Sequence, residues 1–107
     1  MTNSRRKGHQ FERDVVKRLK CIDRAASRKL EYQGVDTGCD IETSLPFCIQ
    51  CKHHGQLTYG KMRGALEQAS GKLGRLPVAV VKKTGDVPLA IMRLDDWLAL
   101  VKEVKKG

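Results

Sequence analysis

Gly38-Cys39-Asp40-Ile41-Glu42-Thr43-Ser44-Leu45-Pro46-Phe47-Cys48-Ile49-Gln50-Cys51-Lys52 is the stretch from which the fold is read. It has the pattern of two short strands joined by a tight turn at Leu45-Pro46. Asp40 opens the first strand, and Gln50 and Lys52 close the second. Side chains on a strand alternate between faces, so Gln50 and Lys52 point to the same side. The turn folds Asp40 back beside Gln50 and Cys51. A carboxylate, an amide oxygen and an ammonium then converge, at positions where a half-buried hairpin has no packing need for them.

Upstream of the hairpin, residues 1–8 read as a flexible basic arm ending at Gly8. From His9 the apolar residues Phe11, Val15, Val16, Leu19 and Ile22 recur at helical spacing. Glu12 stands at the edge of that stripe, where an ordinary carboxylate near a helix N-terminus is also at home. A short strand is expected at 29–32, then a loop with two glycines that delivers the chain to Asp40. Downstream, Met62, Leu66, Ala69 and Leu73 predict a helix over 59–73, with Gly74 at its C-terminal cap. The apolar run 77–82 predicts a central strand buried on both faces. Thr84-Gly85-Asp86 is a turn, and 87–92 a further strand with Pro88 near its start or on an edge. Asp95 is expected to cap a last helix carrying Trp97, Leu98, Leu100, Val101 and Val104. The order is αβββαββα: an α/β chain with a mixed β-sheet flanked by helices, in one domain spanning 1–107.

The chain has 107 residues, 40% of them hydrophobic, enough for a modest packed core. Its formal net charge is +9, which points to a polyanionic partner, most often nucleic acid. No apolar run is long enough to span a membrane. The polar N-terminus lacks the apolar stretch of a signal peptide, so a cytoplasmic location is expected. Cys21, Cys39, Cys48 and Cys51 are then expected as reduced thiols.

Oxygen donors beside a lysine suit phosphodiester hydrolysis, in which a hard cation polarises the phosphate and lowers the pKa of an attacking water. Magnesium takes oxygen ligands and keeps several waters. Asp40 offers a carboxylate, Gln50 its amide oxygen and Cys51 its backbone carbonyl. Lys52 can orient the water or stabilise charge building on the phosphate.

The pair Gly38-Cys39-Asp40-Ile41 and Ile49-Gln50-Cys51-Lys52 resembles the PD-(D/E)xK nuclease motif, and the element order is similar to the core of that superfamily. Lys7-Gly8-His9-Gln10-Phe11-Glu12-Arg13 resembles the opening helix of archaeal-type Holliday-junction resolvases and of small phage nucleases. The resemblance implies a restriction-endonuclease-like fold and a Mg2+-dependent endodeoxyribonuclease, with Mn2+ as a possible substitute. It implies a metal site holding Glu12, Asp40 and Gln50, with Lys52 assisting. It also implies a glutamine facing the site from the following helix, where Gln68 is the matching position. Branched DNA is the implied substrate and a homodimer the implied assembly; size argues the same way, because a small domain covers one scissile phosphate and isologous pairing supplies the second site. Gln50 departs from the family, which usually has Glu or Asp there. The departure leaves two alternatives open: a nucleic-acid-binding protein with a weak or inactive site, and a nuclease subunit that needs a partner.

Arg5, Arg6, Lys7, Lys61, Arg63, Lys72 and Arg75 are candidates to line a groove around the site, and His53 and His54 to contact phosphate. Such contacts confer affinity without sequence reading. Cys48-x-x-Cys51 followed by His53-His54 invites zinc, but strand positions three apart face opposite sides, so packing is the better role. Asp36 is a possible substitute ligand for Asp40; loop turn chemistry is preferred for it.

Overall fold

β4 (Leu76–Lys83) is the strand on which the core is built. It runs parallel to β3 (Phe47–His54) over their full lengths, from Phe47 opposite Leu76 to His54 opposite Lys83. The computed structural model describes residues 2–29, 39–70 and 74–107. In chain order the elements are α1 (Thr2–Leu19), β1 (Ser27–Arg28), β2 (Ile41–Glu42), β3, α2 (Tyr59–Ala69), β4, β5 (Leu89–Ile91) and α3 (Leu94–Lys106). The strands form one sheet in sequence order, parallel at β3–β4 and antiparallel elsewhere. The αβββαββα order and the mixed sheet agree with the expectation.

Both faces of the sheet are covered, and the pleat divides the residues between them. On one face Phe11 and Val16 of α1 pack with Ile41, Ile49, Cys51 and Val78. On the other, Ala65 of α2 packs with Ala79 and Val81, flanked by Leu57, Met62, Leu66 and Ile91. The two sets alternate along β4, the mark of a strand buried on both sides. Small residues on α2 let it approach closely: Ala65 and Ala69 are almost fully buried.

Several boundaries differ from expectation. The segment expected as an arm is helical from Thr2, so Lys7 and Gly8 lie inside α1. A lone glycine costs a helix only about 1 kcal/mol, and no proline interrupts the run. β1 begins at Ser27, ahead of the strand expected at 29–32; Lys29 N donates to Asp40 O at 2.9 Å, while 30–32 lie outside the described residues. α2 starts at Tyr59 as expected, with the Thr58 hydroxyl accepting from Lys61 N, and closes at Ser70. Gly74 is not its cap but the left-handed residue (φ 77°) that leads into β4. Gly85 (φ 84°) makes the expected turn after β4. Asp95 is not the cap of α3: Arg93 holds that position without a side-chain bond, and Asp95 lies in the first turn. No residue of α3 is buried as a whole, although one carboxylate oxygen of Asp96 is.

The cysteines correct the sequence reading. Cys39 and Cys48 form a disulfide with their Cα atoms 5.1 Å apart, inside the bridging range. Reduced thiols were expected from the compartment, an argument that carries no geometry. Cys21 and Cys51 are free. No helix among the described residues is long and apolar enough to cross a membrane.

Candidate active site

The β2–β3 hairpin is built as expected. Ile41 pairs with Ile49, and Asp40 N donates to Ile49 O at 2.7 Å. Beyond this point the ladder ends and a side chain takes over: Asp40 Oδ2 accepts from Cys51 N at 2.8 Å. The N–H and C=O of one strand residue point to the same side, so the Cys51 carbonyl is directed towards Asp40 as well.

An Asp23 clamp and an Arg75 clamp hold the turn of the hairpin. The Asp23 carboxylate accepts from the Thr43 hydroxyl, Ser44 N (2.9 Å), the Ser44 hydroxyl (2.7 Å) and Ala25 N (3.1 Å). The Thr43 and Ser44 bonds lower its pKa from 3.8 to about 2. From the other side Arg75 Nη1 donates to the carbonyls of Thr43, Leu45 and Phe47 at 3.1, 2.6 and 3.1 Å. Arg75 was expected to line a nucleic-acid groove. Its guanidinium instead ties down the backbone of this turn and of Phe47, the first residue of β3.

An open cleft of about 440 Å3 lies where α1 meets the ends of β2 and β3. Glu12, Asp40, Gln50, Cys51 and Lys52 all line it, together with Lys7, His53 and His54. The structure therefore brings the four expected catalytic residues to one place, from two elements, α1 and β3, and the residue that precedes β2. His9 lines the cleft too, and nothing in its sequence context marked it.

Glu12 is paired with Arg28, whose Nε donates to Oε1 at 3.0 Å; both side chains are about four-fifths buried, at 17% and 21% exposure. Arg28 escaped the sequence reading because the strand carrying it was placed two residues too late. Gln50 Nε2 donates to Gln68 Oε1 at 2.9 Å, which ties Gln68 of α2 to a residue that lines the cleft. That bond leaves Gln50 Oε1 buried with no hydrogen-bond partner among the described residues. A buried amide oxygen without a donor is costly, and in a lined cleft it marks a place where a ligand completes the coordination.

Burial pushes the Cys51 thiol well above its usual range; the Asp40 and Glu12 carboxylates push it further, while the Lys52 ammonium opposes them. Both carboxylates and the lysine thus act on one buried atom of β3. Burial, then Lys61, Lys52 and His53, hold His54 below the ordinary histidine value. His53 stacks edge-on with Phe11 at 5.8 Å and sits 3.2 Å from the Thr84 hydroxyl.

The donor set fits a hard cation: two carboxylates, one orphaned amide oxygen and one carbonyl, all oxygen. Among the described residues no group of three or more His, Cys, Asp or Glu is arranged to hold an ion. Cys48 is locked in its disulfide and Cys51 packs in the α1-side core, so the Cys-x-x-Cys makes no zinc site.

The remaining basic candidates scatter. Lys7 is in the cleft and Arg6 is exposed on α1. Lys61 Nζ donates to Gln56 O at 3.1 Å. Arg63 pairs with Glu67 at 3.5 Å and lines a separate groove between α2 and β5. The side chain of Arg5, and Lys72 and Asp36 altogether, lie outside the described residues. Comparison with protein-family models, with curated proteins and with solved structures finds no match to this chain.

Proposed function

We propose that this chain is a metal-dependent DNA endonuclease built on a restriction-endonuclease-like core, acting on branched DNA such as a Holliday junction. The observation that carries the reading is the buried Gln50 Oε1, without a hydrogen-bond partner among the described residues while Gln68 holds the amide nitrogen, in a cleft shared with Asp40, Glu12 and Lys52. A bound Mg2+ would supply charge to polarise the phosphate and would lower the pKa of the attacking water. Asp40, Glu12 and Gln50 would hold it, with the Cys51 carbonyl beside them. The hydrogen bond from Cys51 N fixes the Asp40 carboxylate, and Arg28 fixes that of Glu12. The Lys52 ammonium shares the cleft with both, a position from which it orients water or meets negative charge on the phosphate. The net charge of +9 favours a phosphate backbone as the binding surface.

The test is cleavage of a synthetic four-way junction with Mg2+. Wild type should cut, and Asp40→Ala and Lys52→Ala should each lose about 100-fold or more, the scale of removing a group that stabilises transition-state charge. Equal cutting by all three would overturn the site assignment. A second reading, binding without cleavage, is favoured by the neutral Gln50 and by the Arg28 guanidinium already occupying Glu12. Junction binding with no cutting under Mg2+ or Mn2+ would decide for it, and Gln50→Glu would then be expected to restore activity.

A further inference from the structure

We infer that the Cys39–Cys48 bond is a thiol–disulfide exchange site, and that its state decides how firmly the chain holds Asp40. The consequence for metal binding rests on the reading of the cleft given above; the bond and its surroundings do not. Cys39 directly precedes Asp40, and Cys48 lies on β3 two residues before Gln50. The bond thus joins the chain entering one proposed ligand to the strand that carries another. Its two ends differ in support. Cys48 is fully buried and stands opposite Pro77 in the parallel ladder. Cys39 stands before β2, a strand of two residues whose register with β3 is the single pair Ile41 and Ile49. Closed, the bond ties that thin entry to the centre of the sheet. Opened, it leaves Asp40 to hydrogen bonds such as those with Ile49 and Cys51, which break and re-form in a segment with few neighbours.

Access decides which sulfur reacts. Exchange begins when a thiolate attacks one sulfur of the bond, so it depends on reach. Cys48 is closed off, with none of its surface exposed. Cys39 is half-buried and lines an open groove of about 340 Å3 on the hairpin, together with Lys29, Glu42, Thr43, Phe47 and Arg75. Among the described residues this groove carries two cations, Lys29 and Arg75, against one carboxylate, Glu42. The excess of positive charge draws an incoming thiolate towards Cys39.

The reductant is a dithiol. Its first thiolate bonds to Cys39 Sγ, the Cys39–Cys48 bond breaks, and Cys48 leaves as a thiolate that takes up a proton. The second thiol of the reductant gives up its proton and attacks its own sulfur in the mixed disulfide. Cys39 is released and protonated, and the reductant departs as a cyclic or bridged disulfide. Two electrons and two protons have passed from the dithiol to the protein. Asp40 has then lost its covalent anchor, and the carboxylate is less well placed to hold a cation.

The experiment compares the full chain oxidised with the chain reduced by dithiothreitol under native conditions and then freed of it under argon. Thiols counted in denaturant should rise from the two of Cys21 and Cys51 to all four. Nuclear magnetic relaxation reads the anchor without any metal. The amide order parameters of Cys39 and Asp40 should fall from the rigid value of about 0.85 to below about 0.6, with those of Val78–Val81 unchanged. Mn2+ binding, followed by electron paramagnetic resonance, should weaken about 10-fold or more on reduction, the scale of removing support from a ligand. Cys39→Ser/Cys48→Ser should show the reduced values with or without dithiol, and Cys21→Ser should respond as wild type does. A thiol count that stays at two, unchanged order parameters, or equal Mn2+ affinity in the two states overturns the proposal. Mn2+ binding in neither state refutes the reading of the cleft instead, and the thiol count and order parameters then decide the proposal alone.

Discussion

Gln50 and Gln68 act as one unit: the second holds the amide nitrogen of the first, and so aims its oxygen into the cleft. Gln68→Ala leaves every proposed ligand in place and releases only that orientation. We expect it to lower metal affinity or cleavage about 10-fold, the usual cost of removing a group that orients a ligand, measured by titrating Mg2+ against rate. Asp23 is the other residue whose effect is separable. Its folded pKa is depressed to about 2 from 3.8, so its stabilising bonds are in full force above the unfolded value. They are lost as pH falls through the folded one. Urea midpoints of wild type and Asp23→Asn between pH 5 and 2 should therefore converge at the acid end, wild type being the more stable above pH 4. A gap that persists unchanged to pH 2 would mean that the carboxylate's charge is not what holds Thr43 and Ser44.

At the level of elements, the hairpin was legible because its signals are local. Strand alternation places Gln50 with Lys52, and a Pro-containing turn returns the chain to Asp40. α2 and β4 were legible for the same reason, one from its helical spacing and its Tyr59 start, the other from an unbroken apolar run. Arg28, the Cys39–Cys48 bond and the structural role of Arg75 were not. Each is a contact between residues that neither periodicity nor turn chemistry relates, and Arg75 spans some thirty positions to reach the turn. A basic residue looks the same in a sequence whether it meets a phosphate or three carbonyls. The start of α1 was missed because Gly8 reads as a boundary, while the structure leaves open space at its Cβ and runs the helix through it. The disulfide closes a loop of sequence separation 9 around the hairpin turn. Its reduction should lower stability by about 2–3 kcal/mol on the chain-entropy account. Denaturant unfolding with and without a thiol reductant, with Cys39→Ser/Cys48→Ser as the control, measures that difference.

For the whole molecule, the parallel β3–β4 ladder is the structural centre and α3 the outlier. Core strands open only with global unfolding, whereas elements with few buried contacts open locally. Amide hydrogens of Cys48–Lys52 and Val78–Val81 should thus be the last to exchange, and those of α3 in the isolated chain among the first; mass spectrometry of exchanged peptides reads this directly. The same ladder also sets an order in time. Every side chain proposed for the site lies at or before Gln68, yet β3 is held on its inner edge by a strand that begins only at Leu76. Parallel strands cannot pair until the crossover between them is complete. A chain emerging from the ribosome therefore carries all its proposed catalytic residues before it can arrange them, and the last segment to join the sheet's centre decides when the cleft exists at all.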